Sequence, residues 1–318
     1  MNGGPVLVTG AAGFAGSHLV EHLAARGQVV AWSRSTPPPR LATVARWQRV
    51  DLLDRHAVRA ALSEVTPQVI YHCAGVAHVG QSFRQSAHAL RGNVLATHIL
   101  LDELRRLGSG ARVLVTGSAT VYAASESPIA EDAALAPTSP YALSKLAQEA
   151  RALRAVQEDG VEVVVARSFN HTGPRQTSDF AAPSFAKQIA LIERGAIAPT
   201  IRVGSLEALR DFSDVRDVVR AYRRLVERGA SGRIYNVASG VGRSIRSVLD
   251  GLVARSRVAV EVELDPTKLR PSDTPALVGD TTRLKRETGW EPKYPFERTL
   301  DDLLEYWREE GQDPRQKA

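Results

Sequence analysis

The sequence predicts an α/β protein: a doubly wound parallel sheet with helices on both faces, followed by a smaller mixed α/β unit. Three observations carry this. Short apolar runs alternate with helical patterns up to about residue 168. The first run enters a helix through a glycine-rich turn. Beyond Phe169 the alternation loosens into loops and isolated helices. The expected division is therefore 1–168 for a dinucleotide and 169–318 mainly for a substrate, with some later segments returning to the first sheet.

Pro5 to Thr9 is a short apolar run of the buried parallel type. It leads into Gly10-Ala11-Ala12-Gly13-Phe14-Ala15-Gly16, then a helix with Leu19, Val20 and Leu23 on one face, ending near Gly27. Strand, glycine turn and helix form the Rossmann-type arrangement, in which glycines let backbone approach a pyrophosphate at the helix N-terminus. The second strand, Val29 to Trp32, ends at Ser33-Arg34-Ser35. An acid there would select NAD; Arg34 between two hydroxyls instead suits the 2′-phosphate of NADP. Thr36 to Arg40 is a stiff proline loop, with no helix expected before Leu41.

Arg49 to Asp54 is expected as the third strand, with Asp51 a candidate for the adenine and Asp54 a helix cap. The fourth strand, Gln68 to His72, runs into Cys73-Ala74-Gly75, where Ala74 and Gly75 let a cofactor come close. A helix over Phe83–Leu107 has an apolar surface wide enough for a core and a subunit contact. The fifth strand, Ala111 to Thr116, ends at Ser118, where such folds place ligands. A sixth strand spans Val161 to Ala166, and Asn170 to Gln176 is expected as loop. Beyond it come helices at 185–194, 215–227, 245–254 and 296–310, a short strand at 201–203, and a frayed tail from Gln312 to Ala318.

Ser139-Pro140-Tyr141-Ala142-Leu143-Ser144-Lys145 opens a helix, with Ser139 as cap and Pro140 at the first helical position. Tyr141 and Lys145 are four apart and share a face. A phenol titrates near about 10. A fixed ammonium one turn away is expected to bring it down towards the working range.

Composition bounds the function. The chain has 318 residues, 43% hydrophobic and 24% charged, which is the profile of a soluble globular protein. No apolar run approaches the roughly 20 residues of a membrane span. The first strand begins with no leader pattern before it, and the single cysteine, Cys73, cannot form an internal disulfide, so a cytoplasmic location is expected. The net charge is +6. The arginines are scattered, without the basic run and interleaved aromatics of a nucleic-acid site, and suit small phosphate ligands better. No second ligand stands at metal spacing beside His78 or His88, so no metal is expected.

With the glycine turn, Ser118, Tyr141 and Lys145 in this order, the sequence resembles the extended short-chain dehydrogenase/reductases that modify nucleotide sugars. Asp51-Leu52, Ala74-Gly75, Ser118-Ala119-Thr120-Val121-Tyr122 and Arg167 to Asn170 extend the likeness across the chain. Ser168 to Pro174, Pro183 to Ile189, Val203 to Phe212, Asp214 to Asp217, Arg270 to Asp273 and Thr288 to Trp290 look like the GDP-mannose 4,6-dehydratase and GDP-4-keto-6-deoxy-mannose reductase branch, the reductase above all. The dehydratases carry a carboxylate just after the catalytic hydroxyl, as the base that abstracts a proton before water leaves. Ala119 and Thr120 stand there instead and cannot act as a base at neutral pH.

The resemblance implies reduction of the C4 ketone of a GDP-4-keto-6-deoxyhexose by NADPH, with NADH possible. Tyr141 would be the proton donor, Ser118 the oxygen partner and Lys145 the support. It implies Gly10, Gly13, Phe14, Ala15, Gly16, Arg34, Asp51, Leu52, Ala74, Gly75, Tyr141 and Lys145 for the cofactor. For the sugar nucleotide it implies Ser82, Ser118, Asn170, Arg175, Lys187, Arg210 and Arg270. It also implies a homodimer or homotetramer, through the helices around 83–107 and 141–158. The alternatives are a 4-epimerase with tightly held NAD and a nucleotide-sensing relative without catalysis. Ser33-Arg34 disfavours the first, and an intact Ser118, Tyr141 and Lys145 disfavours the second.

Overall fold

The computed structural model describes residues 4–268 and 276–310. Arg270, its Arg270–Asp273 motif and the tail from Gln312 lie outside the described residues.

The first half builds β1 (Val6–Thr9), α1 (Phe14–Ala24), β2 (Val29–Ser33), β3 (Arg46–Arg49), α2 (Arg55–Val65) and β4 (Val69–His72). Short helices α3 (Val79–Ser82) and α4 (Ser86–Leu90) follow; a π-helical turn, Arg91–Leu95, joins α4 to α5 (Ala96–Arg106). Then come β5 (Arg112–Ser118), α6 (Pro140–Asp159) and β6 (Val163–Ser168). The second half holds β7 (Asn170–Thr172), α7 (Ala181–Glu193), β8 (Thr200–Val203), β9 (Leu209–Asp214), α8 (Val215–Arg228), β10 (Ile234–Val237) and β11 (Gly242–Ser244). It closes with α9 (Ile245–Val253), β12 (Glu261–Leu264), β13 (Ala276–Leu277), α10 (Thr282–Thr288) and α11 (Phe296–Glu310).

Seven strands form one parallel sheet in the order β10-β6-β5-β4-β1-β2-β3. Successive residues of each strand feed opposite faces. Leu7, Val113 and Val115 join a core with α2, α5 and α6, while Val8 and Leu114 join a second core with α1 and α8. A third core gathers α7, α9 and α11 around Phe185, Ile189, Leu249 and Leu303. The strand order reverses between β1 and β4, and ligands of such sheets bind in the crevice at that reversal.

Four expectations need correction. The third strand lies at Arg46–Arg49, upstream of the expected Arg49–Asp54. As a half-exposed edge strand it lacks a buried run, whereas Val50 and Leu52 are core residues of the turn after it. Only a 3₁₀ turn, Pro39–Leu41, precedes it. The helix expected from Phe83 starts at Ser86 and contains the π turn. Asn170–Thr172, expected as loop, pairs with β9 as a short parallel strand. β9 itself escaped the pattern because Asp211, Ser213 and Asp214 are buried polar residues. Asp211 accepts from the Ser239, Gly240 and Gly279 amides, which satisfies its carboxylate inside the protein.

Candidate active site

The glycine turn sets the first wall. Gly10 has φ +66, and a side chain there would meet the Ala74 amide nitrogen at 2.6 Å. At Gly16 a Cβ would collide with the Gly10 carbonyl, so the turn can close only on glycine. Gly13 caps α1 without a side-chain hydrogen bond, and no acid stands in the first helical turn. The first-turn amides of α1 lie at the positive end of the helix dipole, which fits the pyrophosphate of a dinucleotide. Phe14 stacks on His171 at 5.7 Å between ring centroids, tying this helix to β7. Ala15 lies in the same first turn.

Arg34 is exposed at the end of β2, while the Ser33 and Ser35 hydroxyls bond each other at 3.0 Å. Asp51 is exposed and accepts from the Leu53 amide at 3.0 Å; Leu52 is buried in the core. Ala74 and Gly75 follow β4 beside the glycine turn. A Cβ on Gly75 would stand 3.7 Å from the Lys145 ammonium.

Ser139 caps α6 by accepting from the Ala142 amide at 3.1 Å. This presents Tyr141, 8% exposed, to Ser118, 7% exposed, at the end of β5. Desolvation by burial raises the Tyr141 phenol above its usual value, and the neighbouring Ser118 hydroxyl, which favours the phenolate, offsets this only in part. The expected lowering by Lys145 is not what the geometry produces. Lys145 Nζ instead donates to the Thr116 carbonyl and to Gln148 Oε1, each at 2.9 Å. Burial brings the ammonium itself down to about 8. Tyr141 is therefore a protonated phenol at neutral pH. Thr120, a residue that sequence reasoning assigned no role beside Ser118, shares a hydrogen bond with the Ser118 hydroxyl at 2.9 Å.

The remaining predicted residues spread out. Ser82 is fully buried; its hydroxyl donates to the Val79 carbonyl and accepts the Tyr141 amide at 3.1 Å. It thereby ties α3 to the start of the helix that carries Tyr141. Arg175 has a left-handed φ of 75 and donates to His18 Nδ1 and Glu21 of α1, each at 2.6 Å. That seat is against α1, the helix that follows the glycine turn. Asn170 is exposed at the start of β7. Lys187 is exposed on α7, 5.4 Å from the Trp307 ring centroid. Arg210 is half-buried on β9 and donates to the Leu209 carbonyl. Arg167, part of the sequence motif, forms a buried ion pair with Glu149 at 2.6 Å. Cys73 is half-buried, and desolvation pushes its thiol up to about 12. Among the described residues, no group of three or more His, Cys, Asp or Glu is placed to hold a metal, and no helix is long and apolar enough to cross a membrane.

A family model described as GDP-mannose 4,6 dehydratase matches residues 7–303. The GDP-6-deoxy-D-mannose reductase of Pseudomonas aeruginosa is 36% identical over 305 residues, covering 95% of this chain and 96% of its own length. The structure of RMD from Pseudomonas aeruginosa, complexed with NADPH, matches with a TM-score of 0.86 at 35% identity, over 97% of this chain and 100% of that one. UDP-glucose 4-epimerase from Thermotoga maritima, solved with UDP-glucose, matches with a TM-score of 0.87 at 26% identity, over 97% and 100% of the two chains. Fold and site together define an extended short-chain dehydrogenase/reductase. The chain belongs to the GDP-mannose 4,6-dehydratase family.

Proposed function

We propose that this enzyme reduces the C4 ketone of GDP-4-keto-6-deoxy-D-mannose to a GDP-6-deoxyhexose, GDP-D-rhamnose or its C4 epimer, with NADPH as reductant. One observation carries the reading: Ser118 stands beside a protonated Tyr141, while positions 119 and 120 hold alanine and threonine where the family's dehydratases carry a carboxylate. Bound NADPH supplies the hydride. Tyr141 donates its phenolic proton to the oxygen at C4, and Ser118 holds that oxygen by a hydrogen bond. Lys145 keeps a positive charge beside Gly75, where it steadies the phenolate that Tyr141 leaves behind. Proton transfer of this kind contributes about 10²–10⁴ in rate. Burial of Ser118, Tyr141 and Lys145 keeps water away from the reacting oxygen.

In this reading residues 1–168 hold the cofactor and 169–318 mainly hold the sugar nucleotide. Gly10, Gly13 and Gly16 receive the pyrophosphate, Arg34 the 2′-phosphate and Asp51 the adenine. Asn170, Arg175, Lys187, Arg210 and Arg270 receive the GDP moiety, arginine forks matching its diphosphate. The enzyme is cytoplasmic, in keeping with its single unpaired cysteine. It is a homodimer or homotetramer through α4, the π turn, α5 and α6, whose surface carries Leu90 (43% exposed), Leu95 (40%) and Leu143 (53%).

Purified protein mixed with NADPH and GDP-4-keto-6-deoxymannose will oxidise the cofactor, followed by its absorbance. No consumption, together with conversion of UDP-glucose to UDP-galactose, would establish the epimerase instead. Arg34→Ala will weaken NADPH by about tenfold and leave NADH nearly unchanged, because one charged hydrogen bond to phosphate is lost. Equal effects on the two would remove the NADP argument.

A further inference from the structure

Behind Lys145 runs a buried hydrogen-bond chain whose proton positions are fully determined. Gln148, fully buried, accepts from Lys145 Nζ through Oε1 and donates through Nε2 to Thr97 Oγ1 at 2.8 Å. The single proton of Thr97 goes to the Asn93 carbonyl at 2.6 Å. His72 Nε2, 2.8 Å from Thr97 Oγ1, must therefore be the donor in that pair. Burial holds His72 neutral, down to about 3, so its Nδ1 accepts from Thr9 Oγ1 at 2.8 Å. Thr9 in turn accepts the Ala74 amide at 3.3 Å. The chain thus runs from the ammonium to Thr9, which precedes the glycine turn. Reversing the Gln148 amide would set two donors against each other at Lys145 and two acceptors with no proton between them at Thr97.

We propose that Gln148, anchored by Thr97 and His72, is a positioning residue that clamps the Lys145 ammonium and sets the pH range over which it stays charged. The consequence for catalysis rests on the reductase reading; the clamp itself does not. The groups facing Lys145 are His72 at the end of β4, Cys73 just after it, the Thr116 carbonyl from β5 and Gln148 from α6, with Tyr141 one turn earlier on α6. Its hydrogen-bond acceptors are neutral oxygens. Removing one of them disfavours the charged form, and replacing it by a carboxylate favours that form.

The test follows the lysine ε-carbon by NMR in the cofactor-free protein, with the Lys145 signal assigned by its loss in Lys145→Arg. Gln148→Met lowers the Lys145 midpoint by about one pH unit, and Gln148→Glu raises it by about as much, from the strength of a hydrogen bond to a charged group. Thr97→Ser keeps the hydroxyl and holds the wild-type midpoint. The alkaline limb of kcat/KM for ketone reduction moves in the same two directions. Shifts of the same sign in both Gln148 variants, or no shift in a folded Gln148→Glu, overturn the proposal. Thermal melting verifies folding, and if Gln148→Met does not fold, Gln148→Glu alone decides. Opposite midpoint shifts without any ketone reduction support the clamp and overturn the reductase reading.

Discussion

At Tyr141 two opposing effects act on one phenol. Burial destabilises the phenolate; the neighbouring Ser118 hydroxyl stabilises it by less. A phenol so held is a donor waiting for a developing alkoxide, which suits ketone reduction. Tyr141→Phe keeps the ring and removes the proton. It will cut turnover by about 10²–10⁴-fold and leave NADPH affinity within about twofold, measured by fluorescence titration. Retained turnover would move the proton donor elsewhere. Lys145 is charged below about 8 and loses its charge above, so the reduction rate will fall as pH rises through that value. A rate flat from neutrality past this range would contradict the role. Ser118, Tyr141 and Lys145 were legible because their types and spacing carry chemistry in one dimension. Gln148 was legible only as a residue three positions beyond Lys145. Thr97 and His72 stand 51 and 25 positions from the residues they bond, and no local pattern announces such pairings.

The elements that place these side chains depend on a few close approaches. α1 can begin where it does only because Gly16 packs on the Gly10 carbonyl. Gly16→Ala will force that turn apart, at about 2 kcal/mol of stability by overpacking. A lowered melting temperature and weakened NADPH binding are the expected readings; an unchanged melt would show that the turn relaxes freely. Elements with buried apolar runs, such as β1, β4, β5 and β6, could be read directly. β3 could not, because an edge strand is buried on neither side as the central strands are. Nor could β7, whose short span buries only Thr172, or β9, whose buried Asp211 is satisfied by amides from distant segments. The π turn around Asn93 follows from tertiary contacts: its side chain accepts the Val76 amide and donates to Ser144. A helical periodicity carries no trace of that.

At the scale of the molecule, β10 of the second half completes the edge of the seven-stranded sheet beside β6. The doubly wound architecture was legible from alternation alone, whereas this return was expected without its residues being placed. The exposed leucines of α4–α6 belong to the proposed subunit contact. Leu143→Asp will shift the protein from dimer or tetramer to monomer in sedimentation, with its fold retained. A monomer in the wild type would remove that contact. The account stands or falls on the fate of the C4 ketone. NADPH deuterated at the transferable position is incubated with GDP-4-keto-6-deoxymannose, and the product sugar is analysed by NMR. Reduction predicts one deuterium bound to C4 of a GDP-6-deoxyhexose, with one cofactor oxidised per product. Product without deuterium at C4, or cofactor left reduced while UDP-glucose is epimerised, would contradict it.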